Sequence, residues 1–394
     1  MKASSMESTK SSSTIQWYLS STSVFSREEI KGEAMEIIPW SLPYIDDKEK
    51  EFVNSAIDST WLSMGPFVDD FETKLAELVG TKYCVSTSNG TTAIHLSYLS
   101  LGLNSNSRIA IPAYGFLAAA NIAKQMQMSI EFYDLEQTTM NIGKEELNRL
   151  EELDLDAIVL IQNYGNMNDM DLIEAWAAQN NVILIEDAAE SLGSKYGNRM
   201  SGSFGDVSTM SFHGAKTITT GEGGAVFTNS EELHSQLLLY RSHGVSKERY
   251  KHELPGHNFR MSNLQGALGV AQLTKLDQVL QRKREIQDIY YFKFKNSNWG
   301  TLKFIEKSEP ILWAFPIWQK NDSDISLEST IKMLESKKIE VRRGFYSANR
   351  LPIYGDTGEY PVSDYFSKNC LILPSYFKLT NSQIDFICDQ ILDA

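Results

Sequence analysis

One lysine in this sequence has the surroundings of a reactive amine. Lys216 lies between Phe212 and the glycine-rich segment 221–224, in a stretch with few charged residues. Upstream, Asp187 follows the apolar run 182–185, which is typical of a buried strand. A buried lysine amine can form a Schiff base with an aldehyde, and a carboxylate at a strand end can keep a pyridine nitrogen protonated. Together these residues predict a site for pyridoxal 5'-phosphate (PLP), with Lys216 as the catalytic residue.

Each of these residues also has a structural interpretation, which the sequence leaves open. Most lysines lie on the surface, and an acid after a strand is about as often a helix N-cap or an ion-pair partner. Glu190 could share a face with Asp187 and reach the cofactor's phenolic oxygen, or it could be a solvated acid in the first turn of a helix. Phe116 could stack on a planar ring, or it could pack in the core.

Small and hydroxyl-bearing residues are candidates for phosphate binding. Gly90 and Thr91 follow a short apolar strand and begin a helical pattern, so their backbone N–H groups could cradle a phosphate. The same residue types are common in helix caps, and for this segment alone the cap is favoured. Ser211, five residues before Lys216, is a further phosphate candidate or else a hydroxyl at the end of a strand.

Composition limits the classes of partner. The chain has 394 residues, 42% of them hydrophobic, and a formal net charge of -14. This charge argues against a nucleic-acid partner and against an anionic membrane surface, but it leaves room for a phosphorylated small substrate. The sequence shows neither an apolar stretch long enough to span a membrane nor the apolar core of a signal peptide. We therefore expect a cytoplasmic location.

The three cysteines, Cys84, Cys370 and Cys388, are far apart in the sequence, and none belongs to a CxxC pair. Neither a disulfide framework nor a zinc site is expected from this spacing. Cys84 lies in an apolar run, which favours a reduced thiol in the core. A reducing compartment fits this pattern, and we expect no metal in the site.

The pattern along the chain predicts its domain organisation. Residues 1–34 are rich in serine and threonine, and we expect a disordered extension there. Over 35–260, short apolar runs alternate with helical patterns, which predicts a large α/β domain with a mostly parallel sheet. A long, charged helical pattern over 261–296 predicts one connecting helix. The segment 297–394 predicts a smaller α+β domain, with a strand over 310–317.

Several short segments, taken jointly, resemble one known family. They are 61–63 (WLS), 88–91 (SNGT), 186–189 (EDAA), 211–216 (SFHGAK), 221–224 (GEGG), 258–263 (NFRMSN), 339–342 (IEVR) and 373–376 (LPSY). In this order they resemble the DegT/DnrJ/EryC1/StrS family of PLP-dependent sugar aminotransferases, over about residues 37–393. The resemblance implies a fold-type I aminotransferase, with a mostly parallel seven-stranded sheet in the large domain and a smaller C-terminal α+β domain.

The resemblance also implies a role at the cofactor for each matching residue. These residues are Gly90, Thr91 and Ser211 at the phosphate, Phe116 on the ring, Asp187 at the pyridine nitrogen, Glu190 near the ring oxygen, Lys216 at the aldehyde, and Asn258. Asn258 would reach the phosphate of the cofactor in the neighbouring subunit, so the resemblance implies a homodimer with shared active sites. Lys216 would also carry protons in both half-reactions.

Within the family, residues 219–224 and 263–267 are most similar to the perosamine synthase group. These enzymes aminate C4 of a nucleotide-linked 4-keto-6-deoxy sugar, and L-glutamate is the implied amino donor. The nucleotide (GDP, dTDP or UDP), the stereochemistry of the sugar and the choice between C3 and C4 stay open. The family implies a pathway such as O-antigen or lipopolysaccharide biosynthesis.

Candidate substrate-binding residues follow from the same resemblance: Trp61, Ser63, Tyr164, Arg342 and Asn349. The chain departs from the family's pattern in two segments that border the sugar in such enzymes. Gln162 stands where the family often has histidine, and Ser347 and Asn349 stand where it commonly has proline and histidine. We therefore expect the cofactor chemistry to follow the family more closely than the sugar specificity does.

One branch of the family replaces the Schiff-base lysine by histidine and dehydrates the sugar at C3. Lys216 is present in this chain, which favours transamination. Two alternatives stay open, because a fold does not fix its chemistry. One is a PLP-dependent dehydration or elimination on the same scaffold, and the other is a non-enzymatic regulator that binds PLP. Lys216 together with Asp187 argues against the second alternative.

Overall fold

The computed structural model of the protein describes residues 37–246, 248, 250–320 and 326–393. The predicted extension over 1–34 lies outside the described residues. Within the described part of the chain, every helix is too short or too polar to cross a membrane.

Strands and helices largely alternate from Tyr83 to Arg241. In chain order the strands are β1 (Tyr83–Thr87), β2 (Arg108–Pro112), β3 (Ser129–Tyr133), β4 (Ala157–Ile161), β5 (Ile183–Asp187), β6 (Lys195–Tyr196), β7 (Arg199–Met200), β8 (Val207–Ser211), β9 (Gly224–Thr228), β10 (Trp299–Thr301), β11 (Ser308–Glu309), β12 (Phe315–Gln319), β13 (Arg342–Arg343) and β14 (Cys370–Leu373). The helices are α1 (Asp47–Asp58), α2 (Pro66–Val79), α3 (Gly90–Ser100), α4 (Ala118–Gln125), α5 (Lys144–Glu151), α6 (Met170–Asn180), α7 (Glu231–Arg241), α8 (Asn263–Leu273), α9 (Leu276–Phe294), α10 (Leu327–Ser336), α11 (Pro361–Asn369) and α12 (Asn381–Leu392). Short 3-10 helices cover Asn163–Gly165 and Ala348–Arg350.

A seven-stranded sheet positions the candidate site. Its strands lie in the order β1-β9-β8-β5-β4-β2-β3. Strand β9 runs antiparallel to its neighbours β1 and β8, and the remaining pairs are parallel. The prediction of a mostly parallel seven-stranded sheet is therefore confirmed. Parallel strands share their carboxyl edge, so Asp187 at the end of β5 lies beside Ile161 of β4 and Thr209 of β8.

The strands of this sheet are apolar because both faces are covered. All five residues of β4, Ala157–Ile161, are buried. Ile158 and Leu160 belong to one apolar cluster, whereas Val159 and Ile161 belong to a second cluster on the other face. A strand that buries both faces reads as a continuous apolar run, which is why the sequence pattern located it.

A second, antiparallel sheet lies in the C-terminal part of the chain, in the order β10-β12-β14-β13. Helix α12 packs against α9 in the same part. This arrangement has the predicted α+β character. The domain boundaries at residues 260 and 296 stay a prediction.

The prediction of a single helix over 261–296 is wrong. The segment forms two helices, α8 and α9, with Thr274 and Lys275 between them. Lys275 has a φ of -124°, outside the helical range. Its buried ammonium lies 2.6 Å from Glu49 Oε1 and 3.1 Å from Asp46 Oδ2, so a long-range ion pair holds this residue at the break. Neither glycine nor proline marks the position, so the sequence pattern could not reveal it.

The predicted strand over 310–317 is wrong at its start, because β12 begins at Phe315. The N–H groups of Leu312 and Trp313 are bonded to Gln287 Oε1 and to the Tyr164 carbonyl instead of to a neighbouring strand. Helix α5 is not predicted by the sequence pattern.

Gly224 allows β9 to approach the start of α3. It pairs with Thr87 across β1 and β9. A Cβ at Gly224 would lie 2.4 Å from Asn89 O and 2.8 Å from Gly90 N, both of which are backbone atoms. No flexible side chain could move aside to admit a methyl group. The position therefore requires glycine for packing.

Gly224→Ala should lower the free energy of unfolding by about 2 kcal/mol, because the added methyl overpacks two backbone segments. Urea denaturation of the cofactor-free protein measures this loss. Gly214→Ala is the matched control, since the nearest atom to a Cβ there is Gly221 O at 3.9 Å. The control should change stability by less than about 0.5 kcal/mol. Equal unfolding midpoints for the two variants would refute the close-approach argument.

Candidate active site

Three acids lie within five residues at the carboxyl end of β5. Glu186, Asp187 and Glu190 are all buried. Removing a carboxylate from water disfavours its charged form unless hydrogen-bond donors or a cation compensate. The way in which each acid is compensated therefore indicates what it can do.

Glu186 is compensated by hydrogen-bond donors. Its Oε1 accepts from Gln162 Nε2 and Ser201 Oγ at 2.9 Å, and its Oε2 accepts from the N–H groups of Gly202 at 2.9 Å and Phe204 at 3.1 Å. Burial raises the pKa of Glu186 to about 7, and these hydrogen bonds oppose the rise. Neighbouring residues of a strand point to opposite faces, so Glu186 fixes the turn behind the sheet and does not enter the site.

Asp187 is compensated less completely. Its Oδ1 accepts from the Ala189 N–H at 3.1 Å. Burial raises the pKa of Asp187 to about 6, and the charge of Glu190 raises it further, whereas the Ala189 N–H and the charge of Lys216 lower it. A cation placed against Asp187 would stabilise its charged form.

Lys216 and Glu190 form the ion pair at the centre of the site. Lys216 Nζ lies 3.3 Å from Glu190 Oε1, and the lysine side chain is only 14% exposed. Glu190 Oε2 also accepts from the Tyr164 N–H at 2.8 Å. The ammonium lies 3.7 Å from the ring centroid of Trp313. Two carboxylates, Asp187 and Glu190, with one ammonium leave a negative charge that a further cation could balance.

The start of α3 lies against the end of β8. Asn89 is the N-cap, and its side chain accepts from the Thr92 N–H at 2.9 Å. A Cβ at Gly90 would lie 2.9 Å from Ser211 Cβ and 3.2 Å from Ser211 Oγ, so the glycine lets this hydroxyl approach the helix start. Thr91 is exposed at the same helix end. Helix N–H groups beside a hydroxyl form an anion site, so the cap and the phosphate cradle are compatible here.

Aromatic residues link Phe116 to the Glu190 loop. Phe116 is 59% exposed, and its ring centroid lies 6.2 Å from that of Phe345. Phe345 stacks on Tyr164, with centroids 5.4 Å apart and planes 9° from parallel. Tyr164 is buried, and its hydroxyl bonds that of Tyr114 at 2.9 Å. Tyr164 therefore contacts Glu190 and Phe345, and its hydroxyl is bonded to that of Tyr114, while its role in binding the sugar stays a prediction.

Trp61, Ser63 and Asn258 have their contacts elsewhere. The carbonyls of Trp61 and Ser63 accept from the side chain and the N–H of Asn263, both at 2.8 Å. Asn258 is exposed, and its Oδ1 accepts from Arg260 Nε at 3.0 Å. Among the described residues, these three therefore join Asn263 and Arg260 and not the Lys216 cluster.

Arg342 and Asn349 come from the C-terminal part of the chain. The Arg342 guanidinium lies 5.7 Å from the ring centroid of Trp40. Trp40 packs edge-on against the Trp313 ring, with centroids 5.5 Å apart, and Trp313 in turn contacts Lys216. Arg342 and Lys216 are therefore connected through these two tryptophans. Asn349 Oδ1 accepts from Ser347 Oγ at 2.7 Å.

Gln162, which stands where the family often has histidine, is bonded to Glu186 and Asn168. Its side chain is fully buried, donates to Glu186 and accepts from the N–H and the Nδ2 of Asn168 at 2.8 and 3.0 Å. Two residues of the site, Trp313 and Phe345, are not predicted from the sequence. Both lie far along the chain from the lysine motif, in segments that carry no local signal for a cofactor site.

These residues fit PLP. A Cβ at position 90 would collide with Ser211, so glycine is what lets the N–H groups at the start of α3 lie beside this hydroxyl, an arrangement that suits a phosphate. Asp187 is a buried carboxyl with a raised pKa, which a protonated ring nitrogen would compensate. Lys216 presents a shielded amine beside it. The donor set therefore suits the phosphate, the ring nitrogen and the aldehyde of this cofactor.

Known proteins of similar sequence and fold include PLP-dependent sugar enzymes. The GDP-perosamine synthase of Escherichia coli O157:H7 is 36% identical over 363 residues, covering 91% of this chain and 98% of that protein. Helicobacter pylori PseC, an aminotransferase involved in the biosynthesis of pseudoaminic acid, has a TM-score of 0.86 and 26% identity over 91% of this chain and 99% of its own. The E. coli GDP-4-keto-6-deoxy-D-mannose-3-dehydratase with bound hydrated PLP has a TM-score of 0.83 and 27% identity over 91% of this chain and all of its own.

The family assignment rests on nearly the whole described chain. Residues 43–392 match the DegT/DnrJ/EryC1/StrS aminotransferase family. The matched region includes the strand end with Asp187, the Lys216 segment and the C-terminal sheet. The chain therefore belongs to the DegT/DnrJ/EryC1/StrS family of PLP-dependent aminotransferases.

Proposed function

We propose that this protein transfers the amino group of L-glutamate to C4 of a GDP-linked 4-keto-6-deoxy sugar, and that it works as a homodimer. One observation carries the proposal. The Lys216 amine lies 3.3 Å from Glu190, at the sheet edge that also holds the buried Asp187. An enzyme of the dehydratase branch has histidine in place of this lysine, so the lysine supports amino transfer.

Each residue of the site has a part in this reaction. Bound PLP supplies an electron sink that acidifies the carbon bearing the amino group. Asp187 holds the proton on the ring nitrogen, because its buried carboxylate needs a cationic partner. Lys216 anchors the cofactor between turnovers. Once the amino donor takes its place, Lys216 Nζ removes the proton from the donor's α-carbon and later returns a proton to the sugar carbon.

The remaining predicted residues hold the cofactor and orient the lysine. Glu190 Oε1 accepts from Lys216 Nζ and keeps the amine on one side of the site. Gly90, Thr91 and Ser211 bind the phosphate, and Phe116 covers the ring. These assignments rest on the helix start beside Ser211 and on the exposed aromatic face of Phe116.

The names of two relatives support the choice of acceptor. The E. coli O157:H7 relative is a GDP-perosamine synthase, and the structural neighbour that carries PLP is a GDP-4-keto-6-deoxy-D-mannose-3-dehydratase. Both names refer to a GDP-linked sugar, and the second refers to a sugar with a 4-keto group, which is the group that a transaminase can replace by an amine. We assign sugar binding to the residues that the family resemblance implies, which are Trp61, Ser63, Tyr164, Arg342 and Asn349.

Exposed aromatic and polar residues support the homodimer. Trp61 is 59% exposed and Leu62 is 49% exposed, and Phe116 is equally open to solvent. Large apolar side chains exposed to solvent fit a surface that a second copy covers. In such a dimer Asn258, which does not join the Lys216 cluster of its own chain, would serve the phosphate site of the partner.

The absorbance of the PLP-loaded protein tests the reaction. The wild type should show the band of lysine-bound cofactor, L-glutamate should bleach it, and a GDP-linked 4-keto-6-deoxy sugar should restore it. Lys216→Ala should lack the band and lose about a thousandfold or more in turnover, because one amine both anchors the cofactor and moves the proton. Lys307→Ala, at a side chain 63% exposed, is the control and should keep both.

Three outcomes would redirect the assignment. A band that glutamate does not bleach would reject the proposed donor. A deoxy-keto product without nitrogen would favour the dehydratase alternative. Normal turnover by Lys216→Ala would reject Lys216 as the catalytic residue.

Asp187→Asn should stabilise the cofactor-free protein at about pH 8. Burial raises the pKa of Asp187 from 3.8 to about 6. The stability that this carboxyl contributes is therefore fully present below pH 3.8 and is lost as the pH rises through about 6. Asparagine does not ionise and escapes this loss. Urea midpoints at about pH 4 and about pH 8 measure the difference, which should appear only at the higher pH.

Adding PLP should make the wild type more stable than Asp187→Asn at the higher pH, because the ring nitrogen gives the Asp187 carboxylate a cationic partner. The control is Asp171→Asn, at an exposed ion pair with Lys307, which lowers the pKa of Asp171. That variant should gain no stability. If Asp187→Asn gained none either, Asp187 would not be an uncompensated buried charge.

A further inference from the structure

The Lys216 ammonium has a second partner besides Glu190. Its Nζ lies 3.7 Å from the ring centroid of Trp313, over the face of the indole. A cation over an aromatic face is attracted by the ring quadrupole, and the attraction is larger where water is excluded. With 14% of the lysine side chain exposed, most of its surface is covered. The free amine therefore occupies a defined place formed by one carboxylate and one indole.

Every polar atom of Trp313 is bonded. Its N–H donates to Tyr164 O at 2.8 Å, and its indole Nε1 donates to Ala215 O at 2.6 Å. Its carbonyl accepts from Lys283 Nζ at 2.8 Å. Ala215 directly precedes Lys216, so the indole is tied to the backbone of the segment that carries the catalytic amine. The ring cannot turn without breaking this bond.

Tyr164 is hydrogen-bonded to both residues that contact the amine, Glu190 and Trp313. Its N–H donates to Glu190 Oε2 at 2.8 Å, while its carbonyl accepts from Trp313. Tyr164 has a φ of +57°, a left-handed conformation that is uncommon for a tyrosine. Such a conformation persists where the surroundings fix it, and here both backbone groups are engaged. The carboxylate and the indole are therefore held at a constant separation.

Lys283 holds the backbone of Trp313 through a hydrogen bond to its carbonyl. Besides Trp313 O, its Nζ donates to Ser375 O at 2.9 Å, and the side chain is buried. Burial lowers the pKa of Lys283 to about 7, whereas its carbonyl acceptors favour the charged form. One helical turn later, Gln287 accepts from the N–H of Leu312. Helix α9 thus anchors the Leu312–Trp313 segment at two points.

We propose that the face of Trp313 is the resting place of the free Lys216 amine, and that Lys283 is a positioning residue that holds Trp313 there. The proposal rests on the proposed function, in which Lys216 leaves the cofactor in every half-reaction. Each time it is released, the amine must stay within reach of the same carbon atoms. Glu190 and Trp313 together keep it there and shield it from solvent.

Trace acetylation of the cofactor-free protein, followed at each lysine by peptide mass spectrometry, tests this proposal without any turnover. Trp313→Leu should raise the labelling rate of Lys216 about tenfold, because the amine loses the aromatic face that covers it and limits its access to the reagent. Trp313→Phe keeps an aromatic face and should stay within about threefold of the wild type. Lys283→Met should raise the rate of Lys216 labelling by about threefold, because the Trp313 carbonyl loses its support.

Two controls separate this effect from a general loosening of the fold. Trp318→Leu removes an equally buried indole whose ring packs on Phe366, and it should leave Lys216 unchanged. Lys275, whose side chain is 7% exposed and paired with Glu49, should keep its slow labelling in every variant. The quantity that decides is the ratio of Lys216 to Lys275 labelling.

An unchanged ratio in Trp313→Leu would overturn the proposal. If that variant unfolds, Trp313→Phe is the deciding variant. A Lys216 labelling rate in Trp313→Phe as fast as in the urea-denatured chain would reject the proposed position of the amine. A change in the ratio would support the role of Trp313 even if glutamate or the GDP-linked sugar were not the substrate. Conversely, normal amino transfer with an unchanged ratio would reject only the role of Trp313.

Discussion

The burial of carboxyl groups at the carboxyl end of β5 is the constraint on which the rest of the site depends. Glu186, Asp187 and Glu190 are all removed from water, and each is compensated by a different part of the chain. Glu186 receives four donors and fixes a turn, while Glu190 takes the Lys216 ammonium and the Tyr164 N–H. Asp187 is left with a raised pKa. The cofactor-free protein therefore carries an electrostatic cost. In the proposed function a protonated ring nitrogen of PLP would offset this cost, so that cofactor binding and catalytic polarisation would come from one interaction.

The parallel sheet is what brings these groups together. Strands β4, β5 and β8 end at one edge, so the Tyr164 segment, the acidic loop and the segment leading to Lys216 emerge side by side. Strand β9 returns antiparallel beneath the start of α3, and the absence of a side chain at Gly224 lets the helix start sit against Ser211. The proposed phosphate end and the amine end of the site are thus set by neighbouring strands of one sheet, a rigid support for atoms that must keep their places.

Sequence reasoning succeeds where the signal is local. An apolar run followed by an acid placed Asp187 at the end of a buried strand, and low charge with glycines around Lys216 marked a shielded amine. The reasoning fails where a contact joins distant segments. Trp313 reaches Lys216 from the C-terminal part of the chain, and the ion pair of Lys275 with Glu49 divides a helical pattern that has no glycine or proline to mark the break. Gln162 shows the same limit, because only the fold reveals that it faces Glu186.

The central claim is that Asp187 keeps the ring nitrogen of PLP protonated. Nitrogen-15 NMR of the protein loaded with PLP labelled at that nitrogen tests this claim most directly. The wild type should show a protonated nitrogen at neutral pH, and Asp187→Asn should show an unprotonated one, whereas Glu190→Gln should resemble the wild type. An unprotonated nitrogen in the wild type, or the same chemical shift in the wild type and Asp187→Asn, would contradict the account.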